Sequence, residues 1–298
     1  MSSVRQLLVN AEIRLQQAGV PSPRVDTEVL LAHVLKVTRS QLLIQDEITQ
    51  DAKHEFELLI RRRQLREPLS YITNEAPFRR IVLSVGPGVL IPRPETELIV
   101  DIVKRSELSG NVVDLGCGSG AIGLSIATEI KNCQVLGIDN SEQALHFTKI
   151  NSEQLTPKFL EGSSFDARLT SITEVPVLFP NLVGKTQIVV ANPPYVPEGS
   201  RVADEVRYHE PAVAVFADKS GYSVIDQVIS TAALLLAPGG LLVIEHSELH
   251  GPKSQDGGVW RRLTNHQDQF GQSIFENLLA VDDLTDRPRF TAANRKQN

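Results

Sequence analysis

The chain has 298 residues, 41% of them hydrophobic and 22% charged, with a net charge of −6. This is a globular composition, and its negative balance excludes a global basic field for nonspecific nucleic-acid binding. Cys117 and Cys133 are too few for a disulfide framework or a zinc site. No apolar stretch approaches a membrane span, and Met1-Ser2-Ser3-Val4-Arg5 leads into no signal-peptide core, so a cytoplasmic chain with no membrane contact is expected.

Residues 1–75 read as a helical N-terminal domain. Val4, Leu7, Leu8, Ala11, Ile13 and Leu15 follow helical spacing to about Ala18, where Gly19 and Pro21 stop the helix. Ser22-Pro23 opens a second helix carrying Val25, Val29, Leu30, Leu31, Val34 and Leu35. A third runs from about Thr49 to Arg66 and ends in the basic run Arg61-Arg62-Arg63-Gln64-Leu65-Arg66. The run reads as a solvated helix end, favourable to the helix dipole; the other reading is a contact for an acidic partner surface. Residues 76–94 form a linker, with a hairpin over Pro77–Val85 and a turn at Gly86-Pro87-Gly88. Pro94-Glu95 reads as the first turn of a helix capped near Arg93.

From residue 95 to 298, helices and strands alternate, which implies an α/β domain with a parallel, doubly wound sheet. Strands are predicted at 111–115, 134–139, 157–161, 186–191 and 239–246. Helices are predicted at 120–130 and at 141–154, the latter capped by Asn140 or Ser141. Residues 250–270 are polar for a helix of such a fold, and Asn294–Asn298 read as a frayed end.

Two motifs carry chemistry. The strand ending in Asp114-Leu115 runs into Gly116-Cys117-Gly118-Ser119-Gly120 and then a helix. Missing side chains let a ligand approach the backbone there, and the helix N-terminus offers free N–H groups. Asp139, at the end of the next strand, is placed to accept from both hydroxyls of a ribose. Gly118-Ser119-Gly120-Ala121-Ile122-Gly123 also fits the dinucleotide fingerprint. Asp114 favours a cationic ligand over a pyrophosphate, which makes S-adenosylmethionine the expected cofactor. Cys117 reads as a small packing residue of the loop.

The second motif is Asn192-Pro193-Pro194-Tyr195, after the apolar strand Gln187–Ala191. Two prolines cannot continue a ladder, so the chain leaves the sheet as a stiff turn. Such a turn fixes the Asn192 side chain and neighbouring carbonyls as acceptors for a planar –NH2 group, whose delocalised lone pair is a poor nucleophile until held out of conjugation. This turn has no role in hydride transfer. If the strands ending in Asp114 and Ala191 are neighbours, both motifs meet at one sheet edge.

Together with Glu67–Ile72, Phe78-Arg79, Pro87–Glu97, Glu210–Ala214, Glu245-His246 and Asp283–Arg289, these residues resemble the release-factor glutamine methyltransferases, the PrmC/HemK family. Ile91-Pro92-Arg93-Pro94-Glu95-Thr96-Glu97 is the most family-specific stretch; Asn-Pro-Pro-Tyr alone also occurs in DNA adenine and some RNA methyltransferases. The resemblance implies a class I, Rossmann-like methyltransferase domain behind a helical substrate-recognition domain. It implies transfer of a methyl group from S-adenosylmethionine, leaving S-adenosylhomocysteine, to the N5 side-chain nitrogen of the Gly-Gly-Gln glutamine in peptide-chain release factors. By position, Gly116, Cys117, Gly118, Ser119, Gly120 and Asp139 would hold the cofactor, with Asn192 shared between cofactor and substrate. Asn192, Pro193, Pro194 and Tyr195 would hold the glutamine, with Asn192, Pro193 and Tyr195 acting in catalysis and Tyr195 packing on the substrate. Near the adenine the family commonly has an acidic–aromatic pair; here Ser163-Ser164 stands in its place, and Ser164 takes the positional assignment.

The remaining signals are bland. His246-Ser247-Glu248-Leu249-His250 lacks the H-E-x-x-H order, so no metal site is assigned. His209 reads as a loop residue and Trp260 as packing. The main rival is an N6-adenine or N2-guanine nucleic-acid methyltransferase, disfavoured by the charge and by the small helical domain. A glutamine methyltransferase of a ribosomal protein is closer. A noncatalytic binding protein would have lost one of Asp114, Asp139 and Asn192. A monomer without direct nucleic-acid contact is expected.

Overall fold

The structure is a computed structural model and describes residues 4–45 and 47–297. The chain begins with helices α1 (Val4–Gln17), α2 (Pro23–Leu35), α3 (Gln50–Gln64) and α4 (Leu69–Thr73). They meet on Leu7, Ala11, Leu15, Leu30, Leu31, Phe56, Ile60 and Ile72, all buried. Each such side chain contributes roughly 1.5–3 kcal/mol on leaving water. Thr49 opens α3 by accepting the Ala52 N–H at 3.2 Å, a side-chain N-cap.

The strands β1 (Glu75–Phe78) and β2 (Ile81–Ser84) form a separate two-stranded sheet. Its turn residue Arg79 donates to Glu129 at 2.6 Å and to Asp101 at 2.9 Å. After the loop containing Val89 comes α5 (Glu97–Arg105), one turn later than the sequence suggests: Pro94-Glu95-Thr96 is a separate turn before it. There follow β3 (Gly110–Leu115), α6 (Ala121–Glu129), β4 (Cys133–Asp139), α7 (Glu142–Leu155), β5 (Ser164–Leu169), α8 (Val175–Leu178) and β6 (Thr186–Ala191). The chain ends with α9 (Asp204–His209), α10 (Ala212–Val215), α11 (Ser223–Leu235), β7 (Leu236–Glu245), α12 (Gly258–Asn265), β8 (Phe275–Asp282) and β9 (Pro288–Arg295).

Residues up to Glu75, together with Val202–Glu210, form one compact unit; Ala76–Arg201 and Pro211–Asn298 form the other. In the first unit, the basic run that ends α3 is solvated only in part: Arg61 is exposed, while the other arginines pair internally. Arg63 is buried and donates to Asp26 at 2.7 Å and to Glu205 at 3.0 Å, Arg66 donates to Glu205 at 2.6 Å, and Arg62 pairs with Glu67. Glu205, on α9, is thus held within the helical unit by two guanidinium groups.

The second unit is a seven-stranded sheet of order β5-β4-β3-β6-β7-β9-β8. The first five strands are parallel, and β8 and β9 add an antiparallel edge. Successive strand residues point to opposite faces. Val113, Leu115, Val189, Ala191, Leu242 and Ile244 pack against α11 and α12, while Val112, Val135, Ile188, Val190, Leu241 and Val243 pack against α5 and α6. Both faces are covered, as in a doubly wound fold.

Several assignments change. The predicted strand at 157–161 is not one; Thr156–Lys158 is a 3₁₀ turn and β5 begins at Ser164. The hairpin β8–β9 is additional, and Asn294 lies within β9, paired with Leu241, where fraying was expected. The polar 250–270 segment supplies α12, which buries Val259 and Leu263, exposes Arg261 and lays Arg262 over the Tyr222 ring. Among the described residues, no helix is long and apolar enough to cross a membrane.

Candidate functional site

The sequence expectation that the two motif strands are neighbours holds. β3 and β6 pair in parallel with Leu115 opposite Ala191, so the glycine loop and the Asn-Pro-Pro-Tyr turn leave the sheet side by side. A cavity of about 290 Å³ opens at this edge. Gly116 and Gly118 line it after β3, Asp139 at the end of β4, Thr170, Ser171 and Ile172 after β5, and Asn192 and Pro194 after β6. This edge, where strand order reverses, is where open α/β sheets bind ligands.

The loop is fixed from below and beside. The N–H groups of Gly116 and Cys117 both donate to the Ile138 carbonyl, at 2.8 and 2.9 Å. From α7, Thr148 donates to the Gly118 carbonyl, and Asn151 donates to the Ser119 carbonyl at 3.0 Å. Gly116 and Gly118 have φ of +81° and +55°, a region that costs other residues roughly 1–2 kcal/mol, and a Cβ at either would meet no atom within 4 Å. Backbone is therefore bare to the cavity at both positions. Cys117 and Ser119 are buried instead, and burial pushes the Cys117 thiol well up, so it is an unreactive packing residue.

The carboxylates divide the work. Asp139 accepts from the Gly118 N–H and from the Ser141 N–H, each at 2.9 Å, tying the glycine loop to the start of α7. Asp114 is fully buried; one oxygen accepts from the Gly123 N–H at 3.0 Å and the other has no partner. Burial first, and then the nearby charge of Asp139, raises Asp114 to about 7 against the opposing Gly123 hydrogen bond. An orphaned buried carboxylate oxygen suits a cationic ligand, and the open backbone at Gly116 and Gly118 suits close approach by one. The residues present fit S-adenosylmethionine.

The turn after β6 is braced by a buried network that sequence reasoning passed over. Asn192 Nδ2 donates to Thr96 Oγ1 at 3.1 Å, and Thr96 Oγ1 donates to Glu245 Oε2 at 2.7 Å. Tyr195 donates its hydroxyl to Glu245 Oε1 at 3.1 Å. Glu245, the last residue of β7, is 1% exposed. Its signal in the sequence is a single charge ending an apolar strand. Burial raises it to about 7, opposed by the hydrogen bonds of Thr96 and Tyr195 and by the charge of Arg289.

One assigned residue lies elsewhere than expected. Ser164 starts β5, paired with Gln134, whereas Asp139 pairs with Leu169 at the other end of the strand. Ser164 is thus at the edge of the sheet away from the cavity, and Thr170, Ser171 and Ile172 occupy the position after β5. Tyr195 is partly buried against the sheet core and turns its hydroxyl to Glu245. The His246 ring is taken up by the Ser247 carbonyl and Thr291, and the His250 ring by Ser247 and the Ser220 carbonyl. No group of three metal-ligating side chains occurs among the described residues.

The sheet order and the carboxylate-lined loop beside a proline-stiffened asparagine belong to a class I methyltransferase that uses S-adenosylmethionine. Residues 6–73 match the PrmC N-terminal domain and residues 94–208 the methyltransferase small domain. Release factor glutamine methyltransferase of Mycolicibacterium smegmatis is 34% identical over 99% of both chains. That of Streptomyces coelicolor is 37% identical over 97% of this chain and 96% of its own. Among solved structures, the 16S rRNA N2 G1207 methyltransferase of T. Thermophilus superposes with a TM-score of 0.47 at 18% identity, over 74% of this chain and 50% of its own. The chain belongs to the release factor glutamine methyltransferase family.

Proposed function

We propose that this enzyme methylates the side-chain amide nitrogen of the Gly-Gly-Gln glutamine in peptide-chain release factors, acting in the cytoplasm as a monomer with no direct nucleic-acid contact. The observation that carries the reading is the register Leu115–Ala191, which brings the glycine loop and Asn192 to one cavity in a chain of this family.

When bound, S-adenosylmethionine supplies an electrophilic methyl group on a sulfonium. The backbone of Gly116 to Gly120 and the Asp139 carboxylate hold the cofactor, with Asp114 beneath them as the compensating negative charge. Ser164 takes no part; Ser171 and Ile172 close that side of the cavity. Asn192 Oδ1 and the Pro193 carbonyl accept the two N–H bonds of the target amide and turn its nitrogen lone pair out of conjugation. Pro194 stiffens the turn, and Tyr195 anchors it. Positioning of this kind supplies most of the acceleration. The nitrogen gains a methyl group and releases one proton; because the departing sulfur is neutralised as it leaves, no strong base is required. The helical unit of residues 1–75 contributes recognition of the protein substrate.

The test is incubation of the enzyme with labelled S-adenosylmethionine and purified release factor, beside a factor whose Gly-Gly-Gln glutamine is alanine. Label on the wild-type factor alone is expected. Equal label on both, or label only on ribosomal protein or nucleic acid, overturns the reading.

A further inference from the structure

Both ends of the Asn-Pro-Pro-Tyr turn converge on one carboxylate. Asn192 reaches Glu245 through Thr96, and Tyr195 reaches it directly, each link between 2.7 and 3.1 Å. Thr96 and Glu245 are 3% and 1% exposed, so the bond between them is shielded from bulk water.

The direction of the bonds matters. A hydroxyl has one proton, and a carboxylate only accepts. With Glu245 ionised, the Thr96 proton is committed to Glu245 Oε2. The remaining lone pairs of Thr96 Oγ1 can only accept, so the Asn192 amide must present Nδ2 inward, as it does. The carbonyl oxygen Oδ1 is then the atom left for the cavity that Asn192 lines. A protonated or neutral group at position 245 could donate to Thr96. The Thr96 proton would then be free to point at Asn192, and a flipped amide would present N–H to a substrate that itself brings N–H.

We propose that Glu245, acting through Thr96, is a positioning residue that sets the polarity of the Asn192 amide, and that its second oxygen fixes the turn through Tyr195. The assignment rests on the glutamine reading above, because only a substrate that donates N–H requires Oδ1 outward. Glu245 touches no substrate; it selects a substrate nitrogen carrying two protons by ensuring that an acceptor faces it.

The experiment compares Thr96→Val, Thr96→Ser and Glu245→Gln in the full chain. It measures kcat and KM with release factor, cofactor affinity by calorimetry, and Tm. Thr96→Val and Glu245→Gln are expected to lower kcat by ~10- to ~100-fold with cofactor affinity unchanged, as for a mispositioned reacting group. Thr96→Ser keeps the hydroxyl and is expected to retain most of kcat, which a role in packing alone would not predict. Should Glu245→Gln fail to fold, the Val and Ser pair at position 96 decides. A Thr96→Val enzyme with wild-type kcat, or a Thr96→Ser enzyme as impaired as Thr96→Val, overturns the positioning role while leaving the glutamine reading intact. A wild-type enzyme that labels no glutamine overturns both.

Discussion

Leu115 and Ala191 are register partners across β3 and β6, each the last residue of its strand. Because parallel strands end at the same edge, the backbone after each turns into the same space. The glycine loop can therefore be shaped for one ligand and the asparagine turn for another, with the reacting atoms adjacent. The two local sequences need no contact with each other; the sheet supplies their separation and orientation.

Asn192→Ala removes the side-chain acceptor while leaving β6, the two prolines and the glycine loop in place. Turnover should fall at least ~100-fold, the order seen when a positioning contact is lost. Cofactor affinity by calorimetry should stay close to wild type, because Gly116, Gly118 and Asp139 are untouched. A variant that turns over normally would remove Asn192 from the mechanism.

Asp114 should show a trade between stability and function. Its folded value is raised from 3.8 to about 7, first by burial and then by the Asp139 charge, so folding favours its protonated form. Its contribution to stability is fully present below 3.8 and is lost as pH rises through about 7. Asp114→Asn keeps an acceptor for the Gly123 N–H and removes the buried charge. The cofactor-free variant should melt above wild type at pH 8, with the gap shrinking toward pH 4. Asp139 and the Cys117 thiol, the titratable groups facing Asp114, are present in both proteins and largely cancel in the difference. The same variant should bind S-adenosylmethionine more weakly. A melting difference independent of pH would show that the Asp114 charge is not strained in the fold.

How legible the site was follows from where each residue gets its signal. Gly116 to Gly120, Asp139 and Asn192 sit where a strand stops, and the stop itself is written in glycine and proline. Thr96 and Glu245 are 149 residues apart, and only the sheet brings them to 2.7 Å. The sequence points to 157–161 instead of β5 because β5 is an edge strand, exposed along most of Ser164–Leu169 and carrying Asp166 and Arg168. An edge strand facing water loses the apolar pattern that marks its neighbours, whereas Phe159-Leu160 mimics one. The adenine-side assignment falls on Ser164 for the same reason, whereas the residues that follow β5 are Thr170, Ser171 and Ile172. Ser164→Ala should therefore leave cofactor affinity unchanged, while Ile172→Asp, lining the cavity after β5, should weaken it; the reverse result in calorimetry would return the assignment to Ser164.

Arg63 is the last case, and it concerns the helical unit. Its guanidinium, 6% exposed, lies between Asp26 and Glu205, and Arg66 shares Glu205. Burial pushes Glu205 up, but hydrogen bonds from Arg66 and Arg63 more than offset this and bring it from 4.5 down to about 2. Its contribution is thus present above 4.5 and lost as pH falls toward 2. Arg63→Met would leave the buried Asp26 carboxylate without its cation, while Glu205 keeps Arg66; breaking a buried pair from one side costs about 3–5 kcal/mol. The single tryptophan, Trp260, lies on α12 in the other unit and is a poor reporter. Hydrogen exchange of α1–α3 amides is the suitable measurement. Arg63→Met should speed exchange there, and Arg63→Met combined with Asp26→Asn should recover part of the loss, since one stranded charge is removed. Unchanged protection in Arg63→Met would mean that α3 is held by its apolar face, Phe56 and Ile60, alone.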